Sequence, residues 1–295
     1  MTRHMTEQTN TRLVETTEIV TGAPELELVR IAPASPEATP PILFIHGYTA
    51  GAWQFAAHVM PALADRGWST YAINLRGHGG SAGREAVNTA RFADYADDLR
   101  RTADHIVQQN GGQVPILIGH SLGSVLARDY ATRNPVAGLG LTSFGDIKLG
   151  MKGFMGWMMR QSPFQGMAGI MTGRPSKMFG NFEPQYAVMY DGHPRDAVRP
   201  QVERLMAQPD SDKVFMELGK KKIGTVQPGT PVFVMAGTKD PIASPASVAA
   251  LADQVGVSPV LLEGTAHDVF AGPDWQAGFA HLNAWLDRLK QANAG

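Results

Sequence analysis

The sequence predicts an α/β fold: a mostly parallel, doubly wound sheet with a helical cap inserted late in the chain. Three observations predict it. Short apolar runs alternate with stretches of helical periodicity, which places helices on both faces of a parallel sheet. Several of those runs close on glycine or small polar residues, as strands buried on both faces should. The alternation lapses once, between Phe144 and Thr230, where no strand signal occurs.

In chain order, Leu13 to Val20 and Leu26 to Ile31 suit an antiparallel hairpin at the sheet edge. Pro41 to His46 (PILFIH) reads as a buried central strand, Trp53 to Asp65 as one helix, and Ser69 to Leu75 as the next strand. Arg91 to Asn110 places Phe92, Tyr95, Leu99, Ala103 and Ile106 on one helical face, and Gly111-Gly112 stops it. Pro115 to Gly119 (PILIG) is another buried strand, Leu122 to Arg133 a helix, and Gly138 to Phe144 a further strand. After the lapse come the strand Pro231 to Ala236, a helix from Pro245 to Val255, and the strand Pro259 to Leu262. A final helix runs from Asp274 to about Gln291, with Asp274 as its expected cap.

The lapse is rich in methionine and aromatic residues, and long structureless loops are rare in compact domains. Helices broken at Pro163, Pro175, Pro184 and Pro194 are therefore expected there. The division that follows is a core of residues 1–144 and 230–295 with a cap of residues 145–229.

A chain of 295 residues with 43% apolar and 18% charged residues is an ordinary soluble globular protein that needs no covalent staple. Its net charge of −1 supplies no general attraction to nucleic acid or an anionic membrane. The one basic cluster, Lys220-Lys221-Lys222, reads as a solvated face. The absence of cysteine excludes a thiol nucleophile and cysteine-bound metal sites. No apolar run approaches a bilayer span, and the polar stretch from Met1 to Asn10 lacks the apolar core of a leader, so a cytoplasmic protein is expected.

Gly119-His120-Ser121-Leu122-Gly123 matches G-x-S-x-G at a strand-to-helix junction. A nucleophile on so sharp a corner has a strained backbone, and glycines two residues to either side make room for it. Helix N-terminal amides then point to where negative charge develops. A serine hydroxyl needs a positioned base. His267 follows PVLLEGTA and Asp240 follows PVFVMAGTK, so both lie at the C-terminal ends of expected parallel strands, where open α/β sheets place their sites. Ser121, His267 and Asp240 would then act as nucleophile, base and orienting acid. Two other acids compete for Asp240's role: Asp146, just after an earlier strand, and Asp268, which reads as a solvated loop residue.

With these motifs the chain resembles the α/β-hydrolase superfamily over nearly its whole length, and within it the esterase, lysophospholipase and monoacylglycerol-lipase branch. The resemblance rests on HGYTAG (His46 to Gly51), NLRGHGGS (Asn74 to Ser81), GHSLG, GTKDP (Gly237 to Pro241) and GTAHDV (Gly264 to Val269), in the family's order. It implies the α/β-hydrolase fold, a Ser-Asp-His hydrolase without a cofactor, a cap over the site, and an oxyanion hole from the backbone N–H groups of Tyr48 and Leu122. The family often has Asp where this chain has Asn74, and Gly where it has Ser124.

His46, His78 and His120 sit in glycine-flanked turns without a close histidine pair, so structural roles are expected and no metal site. Gly77 to Ala82 spells a dinucleotide fingerprint, but no helix is expected to start there. The apolar cap suggests a hydrophobic ester substrate, with Met155, Met158, Met159, Phe182, Tyr190 and Trp53 as candidate contacts. The same triad serves thioester, amide and C–C hydrolysis and acyl transfer, and a non-catalytic binder of this fold is the rival from another class.

Overall fold

A computed structural model describes residues 13–294, so the polar stretch from Met1 to Asn10 lies outside the described residues. The strands are β1 (Leu13–Val20), β2 (Leu26–Pro33), β3 (Ile42–Ile45), β4 (Thr70–Ile73), β5 (Ile116–His120), β6 (Gly138–Thr142), β7 (Val232–Gly237) and β8 (Val260–Leu262). They form one eight-stranded sheet in the order β1-β2-β4-β3-β5-β6-β7-β8. The β1–β2 hairpin pairs Val20 with Leu26 and joins β4 antiparallel at one edge; every other pairing is parallel.

The helices are α1 (Trp53–Ala56), α2 (Val59–Ala64), α3 (Phe92–Gln109), α4 (Leu122–Ala131), α5 (Ile147–Gln161), α6 (Pro163–Thr172), α7 (Phe182–Met189), α8 (Arg195–Ala207), α9 (Asp212–Leu218), α10 (Pro245–Val255) and α11 (Trp275–Ala294). Side chains alternate across a strand, so β3 feeds two cores. Leu43 and Ile45 pack under α3, α4 and α10, through Leu99, Val125 and Val248. Ile42 and Phe44 pack under α1, α2 and α11, through Phe55, Leu63 and Leu286. Helices on both faces explain why the central strands read as unbroken apolar runs rather than as alternating ones. Among the described residues no helix is long and apolar enough to cross a membrane.

Several local expectations need correction. The stretch from Trp53 to Asp65 is two short helices, because a helix through Pro61 would set its ring against the Ala57 carbonyl. The chain leaves helical geometry at His58, with φ −139° and ψ −60°. Pro163 and Pro194 do mark the starts of α6 and α8, and Pro175 opens a short 3-10 turn. Pro184, however, sits inside the first turn of α7, where the missing N–H would have had no intrahelical partner. Asp274 precedes α11, but its carboxylate is engaged by His193 Nε2 at 3.1 Å and by the Thr265 hydroxyl at 3.3 Å. Lys221 is not simply solvated: its Nζ lies 3.2 Å from Asp129 and over the Phe92 ring. The fingerprint-like turn at Gly77 leads only into a 3-10 helix, Arg84–Thr89.

Between β6 and β7 the chain forms α5 to α9. These helices share a third apolar core around Phe154, Met158, Tyr190, Val198 and Val202, with Tyr48 packed against it from the β3–α1 loop.

Candidate active site

Ser121 occupies the corner between β5 and α4 at φ +53° and ψ −117°, a region L-residues rarely adopt. Two glycines permit this. A Cβ on Gly119 would fall 2.4 Å from the Ser124 Cα, and one on Gly123 would fall 2.0 Å from the Ile45 carbonyl oxygen. The corner can be this tight only because α4 starts directly against the end of β3. Ser124, at the position where the resembling family often has glycine, is not a passive filler. Its hydroxyl donates to the Gly119 carbonyl at 2.7 Å and accepts from the Thr142 N–H at 3.0 Å, stitching β5 to β6 under the corner.

Asp240 follows β7, and His267 follows β8. The His267 Nδ1 donates to Asp240 Oδ2 at 2.7 Å, while Asp240 Oδ1 accepts the N–H groups of Ile242 and Ala243 at 2.8 and 2.9 Å. With its proton on Nδ1, the imidazole leaves Nε2 as a free base. His267 and Ser121 line one cavity, together with Tyr48, Phe154, Met189 and Phe215. The Ser121 hydroxyl makes no hydrogen bond to the imidazole among the described residues; such contacts commonly tighten only with substrate in place. A second cavity meets the first at Ser121 and Leu122, lined by Val125, Phe144, Ile147 and Leu218.

The competing acids are occupied elsewhere. Asp146 caps α5, accepting from the Leu149 N–H at 3.0 Å, and that bond holds its pKa below the usual carboxylate value. Asp268 is buried rather than solvated: it accepts from the Tyr190 hydroxyl at 2.6 Å and from the N–H groups of Phe270 and Ala271.

The N–H groups of Tyr48 and Leu122 have no acceptor within the protein among the described residues, and both residues line the Ser121 cavity. Asn74 anchors one end of the Tyr48 loop, its Oδ1 accepting from the Ala52 N–H at 2.8 Å. Its amide then donates to Glu27 at 2.5 Å, so a carboxylate supports this loop from one residue further out.

The three motif histidines play structural parts. His120 donates from Nε2 to the His267 carbonyl at 3.0 Å and takes a hydrogen bond on Nδ1 from Gln54 at 3.1 Å. Burial, then the charge of His267, pushes its pKa down to about 4. His46 donates from Nδ1 to the Gly47 carbonyl and accepts the Leu75 N–H on Nε2; burial, then His78, lowers its pKa to about 3. Both are neutral when folded, whereas the unfolded chain protonates them near 6.5. The unfolded state therefore binds more protons below that value, and stability must fall as pH falls. Unfolding free energies from denaturant titrations should drop between about pH 6.5 and 5 by as much as roughly 1.4 kcal/mol per pH unit for each histidine. A flat profile there would mean that the folded protein protonates them as easily as the unfolded chain.

Sequence reasoning missed Ser143. It follows β6 at φ +49°, and its hydroxyl donates to the His267 carbonyl at 2.5 Å. The non-glycine residues at positive φ among the described residues are Thr49, Ser121 and Ser143, and all three border this site. Strained backbone of this kind gathers at functional sites. The available signal was position: Ser143 lies at the C-terminal end of the strand beside β5.

The six candidate substrate contacts lie elsewhere. Helix α5 turns Met151 and Phe154 toward the cavity, which leaves Met155 packed within the inserted helices and puts the Met159 sulfur against Gly166 of α6. Met158 is fully buried in the core those helices share. Phe182 stacks on Tyr186, Tyr190 binds Asp268, and Trp53 lines an outer cleft under the Arg204 guanidinium. Among the described residues no group of His, Asp and Glu side chains is arranged to hold a metal ion.

The chain as a whole has recognisable relatives among known proteins. The model of the alpha/beta hydrolase family matches residues 42–280. A monoacylglycerol lipase of Mycolicibacterium smegmatis is 20% identical over 258 residues, covering 83% of this chain and 87% of that protein. Epoxide hydrolase A of Mycobacterium tuberculosis is 30% identical over 112 residues; the match covers 36% of this chain and only 33% of that protein's length. The crystal structure of a proline iminopeptidase from Mycobacterium smegmatis superposes with a TM-score of 0.68 at 19% identity, covering 94% of this chain and 100% of that one.

Proposed function

The chain belongs to the alpha/beta hydrolase family, and on that premise we propose that it is a serine hydrolase cleaving carboxylic esters with a hydrophobic acyl or alcohol part. The observation that carries the reading is the juxtaposition at one cavity of a strained, half-buried Ser121 and an imidazole whose far nitrogen is bound to a buried carboxylate.

In the proposed reaction Ser121 Oγ attacks the acyl carbon and His267 Nε2 takes its proton. The N–H groups of Tyr48 and Leu122 hold the tetrahedral oxygen, each such donor contributing about 2.7–4 kcal/mol to the barrier reduction. His267 returns the proton to the departing alkoxide, leaving an acyl ester on Ser121. Water then attacks that ester with His267 as base, and the acid leaves with Ser121 restored. Residues 145–229 serve as the cap over a core of residues 1–144 and 230–295, and the apolar walls they supply suit a hydrophobic substrate.

Epoxide opening is the reading suggested by one relative's name. Chemistry argues against it with this nucleophile. A serine alkoxide attacking an epoxide carbon forms an ether, which has no acyl carbon for water to attack in a second step.

Turnover of short and long nitrophenyl esters, with and without a competing alcohol, tests the reading. Free acid should be released at the same rate in both cases. Transfer of the acyl group to the alcohol would make the protein an acyltransferase. Binding without turnover would make it a receptor.

A further inference from the structure

The loop that carries the Tyr48 amide is anchored at a second point, and the anchor comes from the inserted helices. Asp210 lies between α8 and α9, and its carboxylate is fully buried. Oδ2 accepts the N–H of Thr49 at 2.7 Å and faces His78 Nε2 at 3.1 Å. Oδ1 accepts the Tyr95 hydroxyl at 2.5 Å and the Ser211 N–H at 2.6 Å. His78 meets acceptors on both sides, since its Nδ1 lies 3.0 Å from the Arg76 carbonyl oxygen. A neutral imidazole has one proton to give, so satisfying both requires the imidazolium. Burial works against charge on both partners, but their mutual attraction and hydrogen bonds outweigh it: the His78 pKa is raised and that of Asp210 lowered.

A buried charge pair is a poor route to stability, because desolvation offsets much of the attraction. Its placement points to another use. Thr49 stands at φ +57° directly after Tyr48. Holding the Thr49 N–H fixes the peptide plane that follows Tyr48, and with it the direction in which the Tyr48 residue presents its own amide to the cavity.

We propose that Asp210 is a positioning residue for the oxyanion loop, an element of the inserted helices that aims the Tyr48 N–H by binding the N–H of Thr49. The proposal rests on reading Ser121 as an acyl-forming nucleophile. It makes the inserted segment part of the transition-state machinery as well as a wall of the substrate cavity.

The test compares three variants of the full chain on a nitrophenyl ester, measuring kcat, KM, melting temperature and the rate of labelling by a fluorophosphonate. Asp210→Asn removes the charge. Asp210→Glu keeps the charge opposite His78 but shifts the acceptor by a methylene. Tyr95→Phe removes another hydrogen bond of the network and leaves the Thr49 contact in place. The two Asp210 variants should lose about 10-fold or more in kcat and in labelling rate, with KM within about 3-fold of wild type. Tyr95→Phe should stay within about 3-fold in kcat even where it melts at a lower temperature. A folded Asp210 variant with wild-type kcat, or an equal loss in Tyr95→Phe, would overturn the positioning role. Wild-type protein that resists the probe altogether would instead overturn the reading of Ser121.

Discussion

Ser121→Ala is expected to lose on the order of 10³-fold or more in ester turnover while folding as the wild type does. The size of the loss follows from the proposed chemistry: no other hydroxyl stands on the β5–α4 corner to accept an acyl group, and the remaining donors can only bind. Residual rate above solvent hydrolysis would come from the Tyr48 and Leu122 amides. Stability should be little changed, because alanine meets the same strained φ of +53° and the backbone bond from the Ser121 N–H to the Thr142 carbonyl is retained. Turnover and melting temperature measured together check both halves. Near-wild-type activity would remove Ser121 from the mechanism.

Gly123→Ala is expected to have the largest effect on the fold. Its new Cβ would sit 2.0 Å from the Ile45 carbonyl oxygen and 2.7 Å from that of His46. Both obstacles are backbone at the end of a central strand, so neither can swing aside as a side-chain tip could. Relief requires lifting the start of α4 off β3, which displaces Leu122 and Ser121 with it. A loss of about 3 kcal/mol or more in unfolding free energy is expected from such overpacking. Urea midpoints for the two proteins decide it, and an alanine variant with an unchanged midpoint would show that this contact is not limiting.

The fold was readable from sequence where burial alone dictates residue choice. The runs PILFIH, PILIG and PVFVMA lie on strands covered on both faces, and nothing but apolar residues fits there. The elbow was readable because sterics spell it: glycine at 119 and 123 is what the corner geometry demands. Less was readable where a side chain's task depends on a partner far along the chain. Asp210 looks like any loop aspartate until Thr49, His78 and Tyr95 are seen around it. Asp268 looked solvated because its partner, Tyr190, comes from α7's end. The methionines of α5 lie on a helix, as the sequence predicts, but periodicity does not say which face turns inward. Met151 and Phe154 took the cavity, and Met155, Met158 and Met159 took the packing.

The histidine loop shows the same dependence. The His267 carbonyl is held by His120 and Ser143, and its N–H donates to the Val188 carbonyl at 3.1 Å. Three separate segments thus converge on the backbone of one residue, His267, and only the fold brings them there.

Covalent capture addresses the proposed nucleophile most directly. After incubation with a fluorophosphonate, intact mass and peptide mapping should find a single adduct, on the peptide that contains Ser121. An unmodified protein, or an adduct on any other residue, would contradict it.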